Sequence, residues 1–209
     1  MRLVLASNNA KKLVELRALF LGLPLDLVAQ GDWGVTEAEE PHITFIENAL
    51  TKARHASAAT GGPALADDSG LCVDALGGAP GVVSAIYADA VPTHAHREDQ
   101  RKVQDAANSA LLLQRLAGQK QRGAAFVSTL VAVRHAQDPE PLIAMGRWVG
   151  EILESPRGQG GFGYDPLMFI TRHGQTVAEM DAAVKNAISH RALAAAQMRR
   201  LLIESWDLG

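Results

Sequence analysis

Two long apolar segments in the second half of the chain constrain the fold more than any other feature. Ala124–Arg134 and Leu142–Leu153 are rich in Val, Ile, Phe, Leu and Trp, and the connection Gln137–Pro141 between them carries two prolines. Runs of this composition separated by a short polar connection are typical of a β-hairpin. Because the strands of a hairpin are antiparallel, the sheet must contain at least one antiparallel pair.

The first thirty residues add the pattern of an α/β protein. Arg2–Ala6 has the composition of a short buried strand, Lys12–Leu21 carries apolar residues at the spacing of one helix face, and Leu25–Ala29 resembles a second strand. Together with the hairpin, this order predicts an α/β fold with a mixed sheet. A purely parallel Rossmann sheet is disfavoured.

The whole chain bounds the class of protein and its partners. Its 209 residues, 47% apolar and 21% charged, suit one large domain or two small lobes, and we predict a single domain over residues 1–209. The polar stretch Pro92–Asp99 is the best candidate for a junction between lobes. A net charge of -3 gives no general electrostatic reason to bind nucleic acid or an anionic membrane, so we expect neither as a partner.

Cysteine usage and hydropathy bear on the compartment. Cys72 is the single cysteine, which excludes an internal disulfide and fits a reducing environment. No charged-then-apolar signal opens the chain, and no apolar run approaches the roughly 20 residues needed to span a bilayer. We therefore expect a soluble cytoplasmic protein.

The segment Leu65–Leu71 places two adjacent carboxylates, Asp67 and Asp68, between an apolar run and Gly70. Successive side chains of a strand point to opposite faces, so the two aspartates can share a cavity only if the strand has ended. We expect the strand to end here and one aspartate to serve a site for Mg²⁺ and water, because hard cations take oxygen ligands. A polar turn is the alternative.

Two further loops carry groups that suit a charged ligand. Ser7, Asn8, Asn9 and Ala10 separate the first strand from a helix that bears Lys12, so an anion could meet the positive end of the helix dipole there. An ordinary helix N-cap is the alternative. Lys185–Arg191 places several potential donors at the entrance of the last helix, with Ser189 as the expected N-cap.

The middle of the chain contributes a capped helix and a glycine-rich loop. Thr44 and Glu47 match a capping box, so a helix should run from Thr44 to about Ala59, after the acidic stretch Thr36–Pro41. Asn48 and Lys52 share a face of that helix, and Lys52 either aims at a ligand or is solvated. In Gly158–Pro166 the glycines permit close approach of the backbone to a ligand, and Phe162 or Tyr164 could lie against a base or sugar.

Five of these segments together are similar to the motifs of one family. They are Ser7–Lys12, Thr44–Ala49 with Lys52 and Ala53, Ala66–Leu71, Gly161–Pro166 and Ser189–Arg191. On these motifs the chain resembles the inosine triphosphate pyrophosphatases, also called the Ham1 or non-canonical purine nucleoside triphosphate pyrophosphatase family. The resemblance runs in order from the first strand to the last helix.

The resemblance implies hydrolysis of ITP, dITP and XTP to the monophosphate and pyrophosphate, with Mg²⁺ as cofactor, in a homodimer. It also implies an elongated mixed sheet with flanking helices that form two lobes around a central cleft. By resemblance, Asp68 is the proton acceptor and a metal ligand, Glu39 is the second metal ligand and Asp67 supports Asp68. Glu40 is an equally acidic neighbour of Glu39, so the choice between the two stays open.

The resemblance also implies which residues bind the substrate. Ser7, Asn9 and Lys12 hold the triphosphate, and Lys52 also reaches phosphate. Further substrate contacts are Asn8, Ala10, Lys11 and Ser69. The base and sugar set is Phe162, Gly163, Tyr164, Asp165, Lys185, His190 and Arg191. One departure is that Ile86 stands where the family commonly has an arginine in Ser-Ala-Arg-Tyr, which removes any contact that the arginine makes.

Two other functions stay open on the sequence alone. A Maf-like pyrophosphatase of pyrimidine or modified nucleotides would share the phosphate-binding logic but not Ser189–Arg191. A nucleotide-binding module without turnover would leave Asp68 without a role as a base.

Overall fold

The fold is described from a computed structural model that covers residues 1–89 and 97–208. Most of the predicted lobe junction, Pro92–His96, lies outside these described residues.

Strands and helices alternate through the first half of the chain. The strands are β1 (Arg2–Leu5), β2 (Asp26–Ala29), β3 (Ala64–Val73), β4 (Gly123–Val133), β5 (Leu142–Ile152), β6 (Met168–Ile170) and β7 (Gln175–Thr176). The α-helices are α1 (Ala10–Leu19), α2 (Phe45–Thr60), α3 (Arg97–Arg115), α4 (Ala182–Ile188) and α5 (His190–Trp206). The pattern of apolar residues did not predict β6, β7 or α4, which are too short to show a period.

The strands form one mixed sheet in the order β2-β1-β3-β4-β5-β6-β7. β1 is parallel to β2 and to β3, whereas β6 is antiparallel to β5 and to β7. The two strands of the predicted hairpin, β4 and β5, are neighbours in the sheet. The predicted α/β fold with a mixed sheet and flanking helices is therefore confirmed.

The prediction that the strand ends at Asp67 and Asp68 is wrong. β3 continues through both aspartates and through Gly70 to Val73. Asp and Gly are disfavoured in strands, but strand propensity depends on the partners that a position meets. Both carboxylates are buried and both meet cationic side chains from helices, which offsets the cost of burying them.

The chain divides into two compact units. The first contains Met1–Asp68, Ser128–Arg147 and Ser189–Gly209, and its strands are covered by helices on both faces. Leu3, Leu5 and Leu65 pack with α1 and α5, whereas Val4, Ala6 and Ala66 pack with α2. This alternation follows from the two-residue period of a strand, and it assigns Asp67 to the face of Leu65 and Asp68 to the face of Ala66.

The second unit contains Ser69–Val127 and Trp148–Ile188. Its core is built from the ends of β3, β4 and β5 together with β6 and the helix α3, and its buried members include Leu71, Leu112, Trp148, Tyr164 and Met168.

Local capping rules explain where three helices begin. The side chain of Asn9 accepts hydrogen bonds from the backbone of Lys11 and Lys12, that of Thr44 from Glu47, and that of Ser189 from Ala192. The predicted caps at Thr44 and Ser189 are confirmed. Across the described ranges, no helix combines the length and the apolar character that crossing a membrane requires.

Candidate active site

Asp68 faces Lys52 of α2, and Glu40, from the loop before α2, completes a cluster of three charges. Lys52 Nζ donates to Asp68 Oδ1 at 2.8 Å and to Glu40 Oε2 at 3.1 Å. The side chains of Lys52 and Asp68 are largely buried, whereas that of Glu40 is 44% exposed. The structure thus places Glu40, the alternative to the predicted Glu39, against the lysine that holds Asp68.

Burial makes Asp68 a weaker acid than an ordinary aspartate. It raises the pKa of the Asp68 carboxyl from 3.8 to about 6, although the Lys52 ammonium acts in the opposite direction. Burial also acts to raise the pKa of Glu40, but attraction to Lys52 outweighs it and the pKa of Glu40 is lowered. Burial alone would lower the pKa of Lys52, yet Asp68 and Glu40 raise it, so Lys52 stays charged.

One oxygen of this cluster remains available for a ligand. Within the part of the chain that the structure describes, Asp68 Oδ2 is buried without a hydrogen-bond partner. A buried carboxylate oxygen without a partner is costly, and a cation bound there would remove the cost. The carboxylate of Glu40 forms an ion pair with the same Lys52 ammonium group as the Asp68 carboxylate does.

A complete protein cage for a metal is absent from residues 1–89 and 97–208, where no group of three or more His, Cys, Asp and Glu side chains is placed to hold an ion. Mg²⁺ does not need such a cage, because it commonly binds one or two carboxylates and completes its octahedron with water and substrate phosphates. Asp68 and Glu40 fit that mode of binding.

Asp67 lies on the opposite face of β3 and is held by three donors. Arg191 Nε donates to Asp67 Oδ2 at 3.1 Å, Lys12 Nζ lies 3.0 Å from the same oxygen, and Ser128 Oγ donates to Oδ1 at 2.8 Å. These residues come from α5, α1 and β4. Asp67 therefore ties the predicted phosphate-binding residue Lys12 and the predicted base-binding residue Arg191 to one buried carboxylate.

Arg191 is buried and carries a second ion pair. Its Nη1 donates to Glu15 Oε2 of α1 at 2.6 Å. Burial alone would lower the pKa of Arg191, but Asp67 and Glu15 raise it, so the guanidinium is always charged. Neither Glu15 nor Ser128 was identified from the sequence, because a lone Glu in a helix and a lone Ser in a strand carry no local signal of their partners.

Gly146 of β5 permits α5 to begin where it does. A Cβ at Gly146 would collide with the backbone carbonyl of His190, so a larger residue would displace the first turn of α5 and Arg191 with it.

The ion pairs around Asp67 and those around Asp68 together contain fewer positive than negative side chains. Three cations face four carboxylates, and the set is Lys12, Lys52, Arg191, Glu15, Glu40, Asp67 and Asp68. A polyphosphate that approached this set would bring further negative charge. An additional cation is needed to balance it.

The loop before α1 caps the N-terminus of that helix. Asn9 Oδ1 accepts from the backbone of Lys11 and Lys12 at 3.0 and 3.3 Å, and Ser7 Oγ accepts from the backbone of Asn9 at 3.2 Å. The alternative of an N-cap is thus correct for Asn9. The side chains of Asn8 and Lys11 are exposed.

A second group of predicted residues lies in the second unit. Asp165 accepts from the backbone of Phe162 at 2.9 Å and from Lys185 Nζ at 2.6 Å, and Asp105 of α3 accepts from the backbone of Gly163 at 2.9 Å. Lys185 Nζ also lies 4.9 Å from the centre of the Phe162 ring, which is 41% exposed. The structure therefore brings Phe162, Asp165 and Lys185 together.

Tyr164 and Ile86 have different environments. Tyr164 is buried in the core, and its hydroxyl donates to the carbonyl of Ser84 at 2.9 Å, so Phe162 is the aromatic side chain of this loop that is open to a ligand. Ile86, which replaces the arginine of the family motif, is 70% exposed.

The sequence matches the Ham1 family over residues 3–201. The chain belongs to the Ham1 family. A curated Ham1 relative, the dITP/XTP pyrophosphatase of Methylibium petroleiphilum, is 68% identical over 206 residues, which cover 99% of each chain. A second, the dITP/XTP pyrophosphatase of Leptothrix cholodnii, is 62% identical over 211 residues and all of both chains.

A solved structure supports the same family assignment. A HAM1 protein from Coxiella burnetii superposes with a TM-score of 0.88 at 42% identity, covering 98% of this chain and all of that one. The family resemblance that the five motifs indicated is thus confirmed, and it extends over nearly the whole chain.

Proposed function

We propose that this Ham1 protein hydrolyses the non-canonical purine nucleoside triphosphates ITP, dITP and XTP to the nucleoside monophosphate and pyrophosphate. The observation that carries the proposal is Asp68, a buried carboxylate with a pKa of about 6 that Lys52 holds at 2.8 Å. A general base works best when its pKa lies near the operating pH. The names of two relatives, both dITP/XTP pyrophosphatases, support dITP and XTP as substrates, and the family resemblance adds ITP.

Asp68 acts as the proton acceptor. It removes a proton from a water molecule as the water oxygen attacks the α-phosphorus, and the bond between that phosphorus and the oxygen bridging to the β-phosphorus breaks. The bridging oxygen leaves with pyrophosphate, and the water oxygen stays on the monophosphate. The predicted role of Asp68 as the catalytic residue is retained.

Lys12 and Lys52 stabilise the phosphates and the departing pyrophosphate. Both ammonium groups are held by aspartates, Lys12 by Asp67 and Lys52 by Asp68, so they are positioned before a substrate arrives. Ser7, Asn9 and Lys11 lie at the start of α1, where the positive end of the helix dipole favours an anion.

Asp68 and Glu40 are the proposed ligands of Mg²⁺, supported by the unpaired Oδ2 of Asp68 and by the shortage of positive charge around it. When bound, the ion would neutralise phosphate charge and favour deprotonation of water. Glu39 remains the competing ligand.

Base selection is assigned to the Phe162 loop and to the start of α5. Phe162 offers an exposed ring for stacking, and Lys185, His190 and Arg191 carry donors that suit the 6-keto group of hypoxanthine and xanthine. Adenine presents an amino donor at that position, so buried donors would be left unpaired, at about 1–3 kcal/mol for each group. The unpaired donors disfavour ATP but not GTP, because guanine also carries a 6-keto group.

The assembly and compartment complete the proposal. We infer a homodimer from the family resemblance, and a cytoplasmic location from the single cysteine, which fits a reducing compartment. Light scattering on the purified protein tests the dimer.

Hydrolysis of ITP in H₂¹⁸O with Mg²⁺ tests the bond that is cleaved. Phosphorus NMR should show the label in IMP and none in pyrophosphate. Label in pyrophosphate, or release of orthophosphate, would contradict attack at the α-phosphorus. Binding of ITP without any turnover would favour the non-catalytic module.

A further inference from the structure

The segment before α2, residues 36–44, carries three glutamates and will be called the acidic loop. The side chains of all three glutamates, Glu37, Glu39 and Glu40, are exposed. Within the described part of this loop, Glu40 is the glutamate that forms an ion pair with Lys52. Carboxylates so close in sequence repel one another, and the glutamates are chemically equivalent. Something outside the loop must decide which of them meets Asp68.

Asn48 of α2 holds the backbone of the acidic loop by two reciprocal hydrogen bonds. Asn48 Oδ1 accepts from the backbone N–H of His42 at 3.0 Å, and Asn48 Nδ2 donates to the carbonyl of His42 at 3.1 Å. Asn48 is only 1% exposed. The Asn48 carboxamide therefore pairs with the peptide groups of His42 as another peptide group would. Because Asn48 is buried, loss of either bond would leave a polar group that water solvates poorly.

Two other contacts attach the loop to the same helix. His42 Nε2 lies 3.0 Å from Thr51 Oγ1, and His55 Nε2 lies 3.0 Å from the carbonyl of Thr36. The loop is thus held on α2 near both of its ends. Lys52 lies one helical turn after Asn48 on the same face, so the residue that holds the loop and the residue that receives Glu40 are neighbours.

We infer that Asn48 is a positioning residue that sets the register of the acidic loop and thereby presents Glu40, rather than Glu39, to Lys52 and Asp68. Glu40 is two residues before His42, so the chain between them spans at most about 7 Å. Fixing the backbone of His42 fixes where the Glu40 carboxylate can reach. A slip of one residue would exchange Glu40 for Glu39.

The chemistry of this pair requires asparagine at position 48. An aspartate could accept from the His42 N–H but could not donate to its carbonyl, and leucine could do neither. The inference rests on the proposed function, because the register matters only if the carboxylate beside Asp68 binds the metal.

The test measures binding of Mn²⁺, used alone as a probe for the Mg²⁺ site, by electron paramagnetic resonance. Glu40→Gln and Glu39→Gln are each made in the wild-type protein and in Asn48→Leu, and Asn48→Ser replaces Asn48→Leu if the latter does not fold. Ser57→Ala is the matched control, because Ser57 is equally buried on α2 and bonds the carbonyl of Gly62 away from the acidic loop.

Glu40→Gln should weaken Mn²⁺ binding about tenfold in the wild type, and Asn48→Leu should do the same, since groups that orient metal ligands are commonly worth 10–100-fold in affinity. In the Asn48→Leu protein, Glu40→Gln should add less than about twofold, because the two changes remove one interaction. In the wild-type protein, Glu39→Gln and Ser57→Ala should each change the Mn²⁺ affinity by less than about twofold.

The inference would be overturned if the effects of Glu40→Gln and Asn48→Leu on the free energy of Mn²⁺ binding were fully additive. It would also be overturned if Glu39→Gln weakened Mn²⁺ binding more than Glu40→Gln in the wild-type protein. Either result, with wild-type ITP turnover intact, leaves the proposed function standing. A wild-type protein that neither binds Mn²⁺ nor turns over ITP would contradict both.

Discussion

Asp67 and Asp68 are adjacent in β3, and their carboxylates bind cations on opposite faces of the sheet. Asp67 pairs with Lys12 and Arg191, whereas Asp68 pairs with Lys52. The two aspartates therefore serve different purposes. Asp67 is bound by donors from α1 and α5, whereas Asp68 Oδ2 has no hydrogen-bond partner within the described part of the chain.

Replacing Asp68 should separate turnover from folding. Asp68→Asn keeps the shape of the side chain but cannot accept a proton, so kcat for ITP should fall about 10²–10⁴-fold. Binding of ITP with Mg²⁺, measured by calorimetry, should remain detectable. Retained turnover in Asp68→Asn would place the base elsewhere.

The pKa of Asp68 should make stability fall as the pH rises. Because its folded pKa, about 6, lies above the ordinary 3.8, the fold favours the protonated form, and this stabilisation is lost between about pH 4 and pH 6. At about 1.4 kcal/mol per pKa unit the loss is about 3 kcal/mol. Urea unfolding of the metal-free protein should show a smaller loss in Asp68→Asn. An equal loss in both proteins would contradict the raised pKa.

Removing Arg191 should cost stability more than removing its outer partner. Arg191→Leu leaves the buried carboxylate of Asp67 with less compensation, and breaking a buried pair in this way costs about 3–5 kcal/mol. Glu15→Gln keeps the Arg191–Asp67 pair and should cost less. Urea unfolding of the two variants at pH 7.5 measures the difference, and a larger cost for Glu15→Gln would show that Asp67 is not the main partner.

The two aromatic residues of the glycine-rich loop should respond differently to truncation. Phe162→Ala should raise KM for ITP, because stacking of a base on an aromatic ring is worth about 1–3 kcal/mol. Tyr164→Phe removes only the hydroxyl that bonds the carbonyl of Ser84, so it should lower stability by about 1 kcal/mol and leave KM unchanged. Steady-state kinetics with ITP distinguish the roles, and equal KM values for Phe162→Ala and wild type would rule out stacking on Phe162.

Local rules predicted those parts of the fold that depend on neighbouring residues. The caps at Thr44 and Ser189 follow from side chains that bond their own helix, and the pairing of β4 with β5 follows from apolar composition and a short connection. Family motifs then indicated Lys12, Lys52 and Asp68, which the structure places in ion pairs within the first unit.

Contacts between residues distant in sequence could not be predicted in the same way. The continuation of β3 through Asp67 could not be predicted from neighbouring residues, because its stabilising partner, Arg191, lies 124 residues away. Glu15 gave no signal for the same reason. The choice of Glu40 over Glu39 depends on the pairing of His42 with Asn48, which composition does not reveal.

A panel of nucleoside triphosphates tests the central claim most directly. Purified protein with Mg²⁺ is supplied separately with ITP, dITP, XTP, ATP, GTP and UTP, and kcat/KM is obtained from pyrophosphate release. The proposed function predicts rapid hydrolysis of ITP, dITP and XTP and values about 5- to 150-fold lower for ATP, since one unpaired buried donor costs about 1–3 kcal/mol. Equal values for ITP and ATP, or a preference for UTP, would contradict it.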